Sequence, residues 1–92
     1  MLKAIDPLLN PDLLYVLASM GHGDTIAIVD SNFPIHSVAQ ETVYGHPLRL
    51  DGVSAPRAAR AVLSVLPLDT FIPTAAFRME VVGEPEKWTD VQ

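Results

Sequence analysis

Apolar residues in this 92-residue chain recur with two distinct periods. The stretch NPDLLYVLASMG carries Leu13, Val16, Leu17 and Met20 at helical spacing, which predicts one apolar stripe on a helix. Asn10 suits its N-cap, Pro11 its first position and Asp12 the positive end of its dipole. Gly21 is expected to end it in a left-handed conformation. TIAIVD, residues 25 to 30, is short, apolar and partly β-branched, which predicts a strand buried on both faces. A second strand is expected at Leu48–Leu50, closed by Asp51-Gly52. Ser54 then caps a helix in SAPRAARAVLSVLP, with Ala59, Val62, Leu63 and Leu66 as its apolar stripe and Pro67 beyond its end. In AAFRMEVV, Phe77, Met79 and Val81 alternate with Arg78 and Glu80, as in a half-buried strand. Glu84-Pro85 opens a new segment with helix-start character.

Helices interleaved with strands predict an α/β layered fold in one small domain. A domain of this size buries only about two thirds of the surface its unfolded chain exposes, so its core is thin and oligomerisation is a natural remedy. In open sheets of this class ligands bind beyond the carboxyl ends of strands. Asp30 occupies such an end, and His22 lies in a glycine turn just before the same strand. The Ser31–Ser37 loop is expected to fold back over both.

Nearly half of the residues are hydrophobic and 18% are charged, the mark of a folded chain. The net charge is −5 and the six basic residues are scattered, so no stripe is available for nucleic acid. The absence of cysteine excludes disulfides, thiolate catalysis and thiolate metal sites. No run is long enough to span a membrane, and the N-terminus lacks a signal-peptide pattern. A soluble cytoplasmic protein is expected.

His22 is the natural proton carrier, and a neighbouring carboxylate orients such a ring. The flanking glycines allow close backbone approach to a ligand. His22 and Asp30 together read as a general acid and an acceptor of sugar hydroxyls. The structural alternative is that His22 caps a helix terminus and Asp30 caps a loop. His36 and His46 read as surface histidines. His22, His36, His46 and Asp24 show no metal-ligand spacing, so no metal is expected. Asp24 reads as a local hydrogen-bonding residue. Ser31 and Ser37 lack the Gly-x-Ser-x-Gly elbow of a nucleophile, and no phosphate-binding loop is present. Tyr44 and Trp88 offer aromatic faces for a sugar or for packing.

Five segments, in this order and spacing, resemble the RbsD/FucU family of sugar mutarotases. They are MLK-x-I-x-P-L-L at the start, M-G-H-G-D at 20–24, D-x-x-F-P-x-H-S at 30–37, R-L-D-G-V at 49–53 and V-L-P-L-D-T-F at 65–71. The branch that acts on L-fucose and related pyranoses is the nearer match. The resemblance implies an RbsD-like layered sheet with helices packed on it, of which residues 1–92 form the N-terminal two thirds, truncated at the C-terminus. It implies interconversion of the α and β anomers of a reducing sugar without cofactor. His22 then matches the proton donor and Asp30 the residue that binds sugar hydroxyls. The family's last third, which supplies a basic residue, a tyrosine, an asparagine and further strands, has no counterpart in this sequence. The resemblance further implies ring-shaped decamers with a sugar pocket near a subunit boundary. The alternative function is a non-catalytic monosaccharide-binding or accessory subunit of a sugar uptake system.

Overall fold

The computed structural model describes residues 2–78, 83, 84 and 86. It holds three helices in this range: α1 (Pro11–Ser19), α2 (Ile35–Ala39) and α3 (Ala55–Leu63). The Asn10 side chain accepts the Leu13 N–H at 2.9 Å, and its amide nitrogen donates to the Arg49 carbonyl at 3.3 Å. One residue therefore starts α1 and ties it to the 48–50 segment. Leu13 and Leu17 are buried as expected, with Val16 and Met20 half-buried at the edge. The end of α1 differs from expectation. The helix stops at Ser19, Met20 is extended (φ −73°, ψ 134°), and Gly21 is not left-handed. The positive φ belongs to Gly23, at 84°. The reversal thus comes two residues later, and it aims the turn that carries His22.

Ser54 caps α3 through the Arg57 N–H, as the sequence predicts. The buried stripe is Ala58, Ala61 and Val62, however, while Leu63 is exposed and Ala59 only half-buried. The expected stripe is rotated because it omits Arg57. That guanidinium forms a two-pronged bond to Asp6 at 2.7 and 3.0 Å, which fixes the face α3 turns toward the N-terminal segment. Small Ala61, fully buried, then meets Leu9, Leu13, Leu17 and Val62 in the core. The five residues of α2 occupy a stretch expected to be loop. Pro34 precedes this helical turn, and its carbonyl accepts the Val38 N–H.

The layered sheet is not formed among the described residues. Residues 24–30 run without a turn or bend, yet among the described residues no backbone hydrogen bond joins 25–29 to another segment. A strand is defined by a neighbour that completes its ladder, and apolar composition alone supplies none. Ile26 packs on the core and Val29 is half-buried while Ala27 and Ile28 are exposed, so neither face of the run is buried along its length. Leu48 and Leu50 are half-buried around exposed Arg49, a strand-like alternation that likewise has no ladder partner among the described residues, and Gly52 (φ 70°) makes the expected turn. Phe77 is exposed rather than packed. Met79, Glu80, Val81, Pro85 and Trp88 lie outside the described residues. An isolated β-bridge at Glu84 is the one β feature among the described residues.

Candidate functional site

The turn after α1 is built around two carboxylates. Asp24 Oδ2 accepts the Gly21 N–H at 2.8 Å and so closes the turn locally, as its sequence position suggests. The second carboxylate comes from Asp69, beyond the C-terminal end of α3. Its Oδ1 lies 2.9 Å from His22 Nδ1 and accepts the Phe71 N–H at 2.9 Å. Its Oδ2 accepts the Gly23 N–H at 2.8 Å. Gly23 reaches that bond through its positive φ; a Cβ there would meet nothing, so backbone conformation rather than space calls for glycine. The Phe71 ring lies against the imidazole, with centroids 4.2 Å apart and planes inclined by 53°.

The Asp69 side chain is 18% exposed and that of His22 68%. The backbone N–H groups of Phe71 and Gly23, then His22, hold the Asp69 carboxyl below its usual range. Asp69 is therefore ionised at neutral pH and can only accept. Neutral His22 must then carry its proton on Nδ1, which leaves the Nε2 lone pair for a ligand. Protonated, the same ring presents Nε2–H as a donor. Asp69 thus selects the tautomer of His22 and fixes the orientation of its ring.

Among the described residues no hydrogen bond or ion pair joins Asp30 to this pair. Asp30 is exposed and accepts the Asn32 N–H at 3.0 Å in a local turn. It lines one groove of about 560 Å³ with Phe33, His36, Leu48, Arg49 and Asp51, and a second beside the first turn of α3. His22 lines neither of these grooves. The Ser31–Ser37 stretch lines the Asp30 groove and leaves Asp30 exposed, rather than folding over both residues. His36 is exposed on the Asp30 groove. His46 is exposed and meets Tyr44 edge-on at 5.7 Å, and Tyr44 also faces Tyr15 at 6.4 Å, away from His22. Among the described residues no three histidine, aspartate or glutamate side chains cluster as metal ligands do. No helix there is long and apolar enough to cross a membrane.

Asp69 and Phe71 were missed as site residues in the sequence reading. Both lie in the V-L-P-L-D-T-F segment, which carries the resemblance but no chemical motif. No local spacing rule joins an aspartate to a histidine 47 positions away.

A family model described as the RbsD / FucU transport protein family matches residues 3–92. The chain is 47% identical over 98 residues to the human fucose mutarotase and 42% identical over 100 residues to the bovine one, with 99% of the chain covered in each case. It spans 62% and 63% of the length of those two relatives. The crystal structure of protein Atu2016, a provisionally assigned sugar binding protein, superposes with a TM-score of 0.94 at 55% identity. That match covers all of this chain and 61% of the other. On the sequence match over nearly its whole length and on the shared backbone, this chain belongs to the RbsD / FucU transport protein family.

Proposed function

We propose that this chain forms part of a mutarotase that interconverts the α and β anomers of a reducing monosaccharide, L-fucose or a related pyranose. The observation that carries the reading is the His22–Asp69 pair: an exposed imidazole with one nitrogen anchored and the other open to solvent. Relatives named fucose mutarotase supply the reaction class.

In ring opening the anomeric hydroxyl loses a proton, its oxygen becomes the aldehyde carbonyl, and the C1–O5 bond breaks as the ring oxygen gains a proton. Rotation about C1–C2 and closure on the other face reverse these transfers. On opening, His22 donates Nε2–H to the ring oxygen while solvent water takes the proton of the anomeric hydroxyl; on closure Nε2 takes its proton back from the hydroxyl formed at that ring oxygen and water returns one to the former carbonyl oxygen. General acid–base catalysis of this kind contributes about 10² to 10⁴-fold. That suits a reaction that already proceeds in water, and proton transfer alone suffices without metal or cofactor.

Asp30 binds sugar hydroxyls in this reading, and the two grooves it lines do not take in His22. In this reading the site joins His22 and Asp69 of one copy to Asp30 of a second. The exposed apolar side chains Ile28, Leu68 and Phe77 are consistent with such a contact. A closed homo-oligomer, a ring-shaped decamer by family resemblance, supplies it. Residues 1–92 act as one domain unit of that assembly, in the cytoplasm, as the acidic cysteine-free composition suits.

Anomer exchange of L-fucose, followed by magnetisation transfer in NMR, tests the function. The chain should accelerate exchange and His22→Ala should remove most of the acceleration. Exchange within about tenfold of the parent after that substitution contradicts the role of His22. The second reading, a sugar-binding subunit without catalysis, draws on the sugar-binding assignment of the structural relative. It predicts sugar binding with no exchange between anomers.

A further inference from the structure

Phe71 is 78% exposed, an unfavourable place for a phenyl ring that has no other partner. Its position is nonetheless fixed. Its N–H donates to the same Asp69 oxygen that holds His22, and its ring rests on the imidazole at 4.2 Å. One carboxylate therefore sets the spacing between a proton carrier and an aromatic face.

An aldopyranose is amphipathic: hydroxyls ring its rim, while C–H bonds cover parts of its faces. The electron-rich face of an aromatic ring attracts such weakly positive hydrogens. A sugar whose ring oxygen or anomeric hydroxyl is within about 3 Å of His22 Nε2 has its ring carbons beside the neighbouring phenyl group. The geometry points to Phe71 as a positioning residue of the sugar site: its exposed face receives the C–H face of the pyranose and holds the reacting oxygens at His22. The inference rests on the mutarotase reading of this site. The other aromatic pair, Tyr15 and Tyr44, packs with His46 elsewhere and makes no contact with His22.

The test compares Phe71→Ala, Phe71→Leu and Phe71→Tyr with the parent chain. Anomer exchange is measured against L-fucose concentration to separate KM from kcat, and saturation is transferred from the phenylalanine ring protons to the sugar. Because the ring is exposed, Phe71→Ala should melt with the parent. Its KM should rise about three- to tenfold with a smaller change in kcat, and Phe71→Tyr should restore the parent value. Transfer to sugar C–H protons should depend on Phe71. A KM within twofold of the parent in Phe71→Ala overturns the proposal. So does full function in Phe71→Leu, which would make the ring mere apolar cover. Altered sedimentation with unchanged KM also overturns it, by assigning Phe71 to a contact between copies. If the parent exchanges no anomers, the mutarotase reading fails on its own. Phe71-dependent transfer to bound sugar would then still support a stacking role, and absence of that transfer would overturn it.

Discussion

Asp69 accepts from His22, Gly23 and Phe71 at once, and most of what the site can do follows from that convergence. His22 was legible in the sequence because a histidine between glycines before an apolar run stands out. Asp69 was not, since only the folded chain brings position 69 to position 22. Asp69→Asn removes the charge and leaves one amide edge that cannot accept. We expect anomer exchange to fall about ten- to a hundredfold, the scale of a charged hydrogen bond. The nitrogen shifts of His22 should move from the Nδ1–H tautomer toward a mixture, a change that a purely structural role for Asp69 would not produce. Gly23→Ala should cost roughly 1 kcal/mol because its φ is 84°. Gly21→Ala should cost far less, since its φ is not positive and its added methyl meets only Asp24 at 3.8 Å. Thermal melts of the two variants read this difference directly.

The helices were the most legible elements, and their errors share a cause. The caps at Asn10 and Ser54 rest on local bonds and were found from residue type alone. Asn10→Ala should destabilise by about 1 kcal/mol, a loss urea melts can measure. The end of α1 and the rotation of α3 depend on long-range partners, Asp69 for the glycine turn and Asp6 for Arg57, which periodicity does not contain. The Asp6–Arg57 pair also predicts pH dependence. The Arg57 bond, then the Leu8 N–H, holds the Asp6 carboxyl below its ordinary 3.8. Its stabilisation is therefore complete above that ordinary value and is lost as pH falls through the lower folded value. Asp6→Asn should lower the melting temperature at pH 7, and the gap to the parent should narrow as the pH falls below that ordinary value. A gap that stays constant through the acid range would show that the pair does not titrate with folding.

At the scale of the whole molecule, the apolar run at 25–30 was legible, but its pairing was not. Extended segments become a sheet only through neighbours, and the sequence does not say who they are. The same gap bears on the site: the sequence put His22 just before the strand-like segment and Asp30 at its end, and the two grooves that Asp30 lines leave His22 out. Assembly by mass action should make the melting temperature rise with protein concentration; a concentration-independent value in a compact monomer would contradict self-association. The shared site makes a sharper demand, which subunit complementation meets. His22→Ala and Asp30→Asn chains are each prepared, then unfolded together, refolded as a mixture and assayed for L-fucose anomer exchange by NMR. Each variant alone should be nearly inactive. In a random mixture of a symmetric oligomer, roughly one quarter of the sites would pair an intact His22 with an intact Asp30 from another copy, so about that fraction of parental exchange should return. A mixture no more active than its components would contradict a site divided between two copies.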